Sequence, residues 1–381
     1  MKSVILYAYP PEPDGLSIQG HLLYRGMKEN GEKVIPCNIN GGLQKEWSLK
    51  AFKADVAIGI GFWGNTPELI LEPQKLGVTP VPWLVADGWV ANYHDILSSL
   101  PLVLATSSWV KKTYQRDGVD TKNFEVAHIG FDPALFRPIA KTDFRVRKIR
   151  QLLNVKDDEK MILTVGGDVT SKGAQEIFQA LAKIDSQFPK WKYICKSWGS
   201  DCSRGHNEEE LELIGELGLD KNKISHFEGA FSREFMPYLL NAADIYAAPS
   251  RLEGFGLIQL EAQACGIPVV SINEMGPREV VVHGQTGLLA RVAETVDLES
   301  EWVYPDMGFD EEKVIEFDQP KTFAYRADVD DLAQYLLKLL SDDKLRATMG
   351  RAAVEHCLKN FHYRDRARYI TNLVKDKLNL R

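Results

Sequence analysis

The chain has no run of about 20 apolar residues, the length a membrane-spanning helix needs. Its first residues, MKSVILYAYPPEPDG, carry one lysine and an apolar run too short for a secretory leader, so a buried first strand is the better reading. Cysteine is scarce. Cys37, Cys195, Cys202, Cys265 and Cys357 are odd in number, scattered and free of any C-x-x-C, which argues against a disulfide framework or a structural zinc site. Cys195, Cys202 and His206 cluster loosely, at a spacing that fits no standard zinc pattern. A basic excess is missing too. Lys and Arg number 46 against 53 Asp and Glu, a formal charge of −7, so the basic face of a general nucleic-acid binder is not expected. A small basic pocket for phosphates remains compatible with that balance. These absences predict a soluble, cytoplasmic protein without a nucleic-acid partner.

What is present is an alternation. At 381 residues and 44% hydrophobic composition, the chain is sized for two packed domains. Short apolar runs at 4–9, 34–37, 55–61, 81–86, 102–107 and 124–130 read as strands, with helical patterns at 17–31 and 107–118. A polar, basic stretch from Lys141 to Lys160 follows, with Arg145, Arg147, Lys148 and Arg150. It reads either as a linker with a solvated helix or as a peripheral docking patch for anionic membrane lipids. A second series has strands at 161–167, 192–199, 224–230, 244–250 and 267–272, and helices at 172–184, 232–242 and 255–265. Strands spaced by helices predict β-α-β units and parallel sheets. Residues 291–326, acidic and with two prolines, read as a long surface excursion, before helical patterns return at 328–341 and 343–359.

The segment PSRLEGFGLIQLEAQACGIPVV, residues 249–270, carries the chemistry. A strand ends at Pro249-Ser250, a loop with Gly254 and Gly256 follows, and a helix begins. Glycines allow positive φ and close backbone approach, and a helix start offers unpaired N–H groups to a pyrophosphate. Glu253 in the loop and Glu261 in the helix are either an active pair or a cap and a buried side chain. Lys172, in VGGDVTSKG, stands at a helix start beside a glycine-rich loop. A cation is unfavourable there unless an anion meets it. Asp328-Val329-Asp330 opens a helical segment and reads as a cap rather than a metal motif, so no metal is expected. Aromatics at GFWGN (61–65) and DGWVANYHD (87–95) suit either acceptor stacking or core packing.

The order ADIYAAPS, EGFGLIQLEA, CGIPVVS, GPREVVVHGQTGLL resembles the retaining GT-B glycosyltransferases, especially family 4, nearly throughout 243–288. VAHIGFDPALFRP (126–138) resembles the family's segment before its domain linker, and Gly15 resembles part of its N-terminal glycine pair. The resemblance implies an α/β GT-B architecture, two Rossmann-like domains whose parallel sheets face a central cleft. Residues 1–140 would bind the acceptor, with 362–381 packing back on them, and residues 141–361 the donor. It further implies transfer of a hexose from a UDP- or GDP-sugar to an acceptor hydroxyl, with retention. The only cofactor-like partner is the nucleotide-sugar donor itself.

By position, Glu261 would hold the ribose hydroxyls, Glu253 would lie near the sugar ring, and Lys172 would meet the donor phosphates. The backbone of Phe255, Gly256 and Leu257 would meet sugar and pyrophosphate, and Gly15 and Glu279 complete the implied donor set. Two positions depart from the pattern. Gly167 stands where the family carries a second phosphate-binding arginine, and Ala86-Asp87 where it often has His-Asp, leaving Asp87 as the acid that would face the cleft; His94 and Asp95 would replace the pair only if that loop folded back. These departures keep alive two rival readings, a sugar-nucleotide-binding subunit impaired in catalysis and a phosphorylase or epimerase of the same fold. Acceptor and oligomeric state are not legible in the residues.

Overall fold

Apolar strands separated by amphipathic helices can bury both faces of a sheet only if the sheet is parallel and the helices cover it. Two such sheets form. The structure, a computed structural model, describes residues 1–86, 88–199 and 201–380, the side chains of residues 201–203 excepted. The chain divides into two units: Met1–Asp132 with Asp297–Phe323 and Phe361–Arg381, and Pro133–Val296 with Ala324–Asn360.

In the first unit, β1 (Lys2–Tyr7), β2 (Lys33–Asn38), β3 (Val56–Gly61), β4 (Thr79–Leu84), β5 (Val103–Ala105) and β6 (Phe124–Val126) pair in the order β2-β1-β3-β4-β5-β6. All pairings are parallel. Val4, Ile5 and Leu6 are wholly buried, as a central strand covered on both faces requires. The helix Gly15–Glu29 starts where the Asp14 carboxylate accepts the Ser17 N–H at 2.9 Å, a side-chain cap for an otherwise unpaired donor. The helix Tyr363–Lys377 packs against it. Their approach depends on Gly26: a Cβ there would lie 2.6 Å from Ala367 Cβ and 2.9 Å from the Tyr363 carbonyl.

In the second unit, β7 (Lys160–Val165), β8 (Trp191–Ser197), β9 (Ile224–Glu228), β10 (Ile245–Ala247), β11 (Val269–Ile272) and β12 (Gly287–Ala290) pair in the order β12-β11-β10-β7-β8-β9. These pairings are parallel as well. The helix Val329–Ser341 packs on the helix Ala174–Ile184. Asp328 caps it by accepting the Asp331 N–H at 2.9 Å, so the D-x-D is the expected cap.

The stretch read as a surface excursion is instead a two-stranded ribbon, β13 (Val292–Val303) and β14 (Lys313–Ala327). The physical reason is period-two patterning: Val296 and Leu298 are half-buried between the exposed Thr295, Asp297 and Glu299. Within the first unit, Lys321 Nζ lies 2.9 Å from Asp117 Oδ1, and the Asp117 carboxylate also accepts the Val90 N–H at 2.7 Å. The Phe317 ring stands 5.6 Å from that of Trp89. Trp63 and Trp89 are buried, and the Trp63 indole donates to the Trp89 carbonyl at 2.8 Å, so these two aromatics pack rather than present a stacking platform.

In the basic stretch, the helix Phe144–Leu152 keeps Arg147 and Lys148 exposed, while Arg150 pairs with Asp244 at 2.9 Å. Among the described residues, no helix is long and apolar enough to cross a membrane. Gly26→Val, which forces two packed helices apart, is expected to lower stability by about 1–3 kcal/mol, read from chemical denaturation of the full chain.

Candidate functional site

The second sheet changes direction between β7 and β10. From β7 the chain crosses to β8 on one side, and from β10 to β11 on the other. The loops leaving these two strands therefore diverge, and the crevice at their carboxyl ends is where open parallel sheets take ligands. Residues 166–173 form one loop and 248–256 the other.

The first loop is held by its own polar groups. Asp168 accepts the backbone N–H of Thr170 at 3.0 Å and of Ser171 at 3.2 Å, and its Oδ2 lies 2.9 Å from His206 Nδ1. A Cβ on Gly166 would lie 2.6 Å from Lys172 Cγ, so a side chain there would displace the lysine. Gly173, at φ +83°, caps the helix Ala174–Ile184 and has no room for a side chain against the Pro249 carbonyl. Lys172 thus precedes the helix it was expected to open. Its charge is met by a carboxylate: Lys172 Nζ lies 2.7 Å from Glu253 Oε2. Both side chains are about one-fifth exposed, 22% and 20%, which shields the pair from full solvent screening.

Glu253 does a second thing. Its Oε1 accepts the Gly256 N–H at 3.0 Å, which stitches the glycine loop shut at the start of the helix Leu257–Ala264. Gly256 takes φ +99°, a conformation that glycine adopts without penalty. Phe255 is buried, and Gly276 packs directly on its backbone, leaving no space for a side chain at 276. The Gly276 N–H donates to the Glu253 carbonyl at 3.1 Å, so the MGPRE loop braces the EGFG loop. Glu279, on the short helix Pro277–Val280, is half-buried beside this brace.

Glu261 lies on the helix begun at Leu257 and is wholly buried. Burial pushes its carboxyl above the ordinary range, and the nearby Arg233 charge pulls it back. Arg233 Nη2 donates to Glu261 Oε1. The other oxygen, Oε2, has no hydrogen-bond partner among the described residues, and neither do the buried Ser250 Oγ and Gln259 Oε1. Buried polar atoms are nearly always paired with protein, water or ligand. With Gln263 Oε1, four such atoms lie on the loop and helix that follow β10, polar atoms that hydroxyl or amide groups can satisfy.

The structure therefore brings Lys172, Glu253 and Gly256 into direct contact, with Phe255 and Leu257 flanking them and Glu261 on the same helix. Gly15 opens a helix of the other unit, is exposed, and has open space where a Cβ would be. Asp87 lies outside the described residues. Arg233 escaped the sequence reading. It sits 28 positions before Glu261, in a loop without a motif of its own, and its guanidinium also stacks 4.5 Å from the Phe136 ring. Only the fold brings these positions together.

Residues 145–299 match the family model described as glycosyl transferases group 1. The match covers less than half of the chain. Among its relatives, D-inositol 3-phosphate glycosyltransferase of Nocardioides sp. is 31% identical over 234 residues, 59% of this chain and 46% of the relative. The protein of that name from Corynebacterium aurimucosum is 26% identical over 334 residues, 79% of this chain and 70% of the relative. The chain spans about half the length of the first three curated relatives it matches. Among solved structures, sucrose-phosphate synthase from Thermosynechococcus elongatus superposes with a TM-score of 0.74 at 17% identity, covering 100% of both chains. Anabaena HepE in complex with UDP and glucose gives 0.74 at 16% identity, covering 99% of this chain and 100% of that one. The fold is GT-B, in two α/β units, and the group 1 segment contains the whole Lys172–Glu253–Glu261 arrangement.

Arg233→Met leaves the buried Glu261 carboxylate without its countercharge and is expected to lower stability by about 3 kcal/mol at neutral pH. A carboxyl whose proton is held more tightly in the folded state adds stability below its unfolded value and loses that addition as the pH rises through the folded value. The deficit of the variant should therefore grow with pH above the ordinary carboxylate range and narrow as the pH falls. Thermal denaturation of both proteins across that range reads the trend; a deficit independent of pH would show that Glu261 does not carry the effect.

Proposed function

We propose that the chain is a retaining glycosyltransferase that moves a hexose from a UDP- or GDP-sugar to an acceptor hydroxyl, in glycan, glycolipid or glycoside synthesis. The observation that carries this reading is the wholly buried Glu261, with one oxygen paired to Arg233 and the other open, on the helix that begins at the glycine loop of Glu253. An ionised carboxylate that accepts two neighbouring hydroxyls suits a ribose. The solved complexes of HepE with UDP and with UDP-glucose support a nucleotide-sugar donor for a chain of this fold.

The chemistry follows from the charges. A donor diphosphate would compete with the Glu253 carboxylate for Lys172, and the freed Glu253 would turn to the sugar hydroxyls. The bond between the anomeric carbon and the β-phosphate oxygen breaks, with Lys172 and the N–H groups at the start of the helix Leu257–Ala264 stabilising the charge that develops on the leaving diphosphate. The acceptor oxygen bonds to the anomeric carbon on the same face, and its proton passes to the departing phosphate. No side chain is assigned as a covalent nucleophile, and no metal is required.

Nucleotide release from a panel of UDP-, GDP- and ADP-sugars tests the reading, with an inositol phosphate as the first acceptor because the relatives carry that name. Activity should persist in EDTA. Glu261→Ala should weaken nucleotide binding about tenfold, the size of one charge-assisted contact, while Glu253→Ala should chiefly lower turnover. Product formation that needs free phosphate and no nucleotide would favour a phosphorylase. Failure to bind any nucleotide in calorimetry would overturn the transferase assignment.

A further inference from the structure

A diphosphate brings more negative charge than Lys172 alone can meet, and Gly167 offers no side chain. The neighbouring strand does. Lys196 is the sixth residue of β8, in register with Val165 at the end of β7. Its carbonyl accepts the Gly166 N–H at 3.0 Å, and two residues later the Trp198 N–H donates to the Gly167 carbonyl at 2.9 Å. The Lys196 side chain is buried, with the residue 3% exposed. Its ammonium lies 5.3 Å from the Phe231 ring and 6.0 Å from the Trp198 ring. Phe231 is two residues before Arg233, which holds Glu261. Besides Arg251 of the 248–256 loop, which pairs with Glu176, three cations stand on the elements around this site: Lys172, Arg233 and, from the end of β8, Lys196. Lys172 is met by Glu253 and Arg233 by Glu261, whereas Lys196 has no carboxylate partner among the described residues.

We propose that Lys196 is the second phosphate-binding cation of the donor site, reaching in from β8 to replace the charge absent at Gly167; this rests on the donor reading above. A buried ammonium held, among the described residues, only by ring faces has lost hydration that weak cation–π contacts do not restore. Burial accordingly pushes Lys196 down to about 8. A phosphate oxygen returns to it both a countercharge and a hydrogen-bond acceptor. A lysine serves this purpose where an arginine would not fit, because its charge is compact and its stem is flexible.

The test compares UDP and GDP with uridine and guanosine by calorimetry, on the full chain. Lys196→Met keeps the volume and removes a buried charge, so the fold should survive; Lys196→Gln is the second variant should it not. Either is expected to weaken the diphosphates by about tenfold, one charge-assisted contact, and to leave the nucleosides unchanged. Gly167 is exposed, and the nearest atom to a Cβ placed on it is Trp198 Cε3 at 3.8 Å, so a side chain fits there. Gly167→Arg in the Lys196→Met background should therefore recover diphosphate affinity. Unchanged diphosphate affinity, or an equal loss for nucleosides and diphosphates, would overturn the proposal. If the unaltered protein binds none of the four compounds, it is the donor reading that fails.

Discussion

All twelve strands of the two main sheets run parallel within their sheet, and that constraint governs everything else. A parallel strand cannot be followed by a tight turn to its neighbour; the chain must cross back over a helix. Every strand therefore delivers its carboxyl end to the same edge, and the loops of that edge are free of the duty of closing hairpins. In the second unit the reversal of crossover direction between β7 and β10 opens that edge at one point. Lys172, Glu253 and Glu261 all descend from the two strands that flank it.

The charges at this point are arranged in pairs that a ligand can exchange. A carboxylate on Lys172 and a guanidinium on Glu261 hold the loops together without a substrate, each at partial or full burial, where an unpaired charge would be costly. Glu253 illustrates the economy of the arrangement: one oxygen meets the lysine and the other holds the backbone N–H of Gly256. The loop geometry and the charge of the site are thereby tied to one side chain.

Much of this was legible beforehand because it is local. The alternation of apolar runs and helical patterns marks the strands to within a few residues, since burial on both faces of a sheet leaves an unbroken apolar stretch. The spacing E-x-x-x-x-x-x-x-E places a loop carboxylate and a helix carboxylate on one element, and Asp328 reads correctly as a cap. Residues 291–326 read as an excursion rather than as strands because their patterning is diluted by acidic residues on the solvent side of a ribbon. Arg233 was invisible for a different reason: its partner is fixed by tertiary packing, and a lone arginine in a loop has no periodicity to betray it. The burial of Trp63 and Trp89 likewise depends on neighbours in space, Phe317 among them, that no local pattern supplies.

The contact at Gly26 has a consequence for synthesis. The helix that lies on Gly15–Glu29 is Tyr363–Lys377, more than three hundred residues later in the chain. During translation the first sheet emerges early and its first helix can pack on it, yet the face of that helix that meets Tyr363–Lys377 stays uncovered until the second unit has been made. Contacts of such long sequence separation form late, and exposed apolar surface in the interval invites aggregation. The amino-terminal unit, although made first, is in this sense the last to be finished.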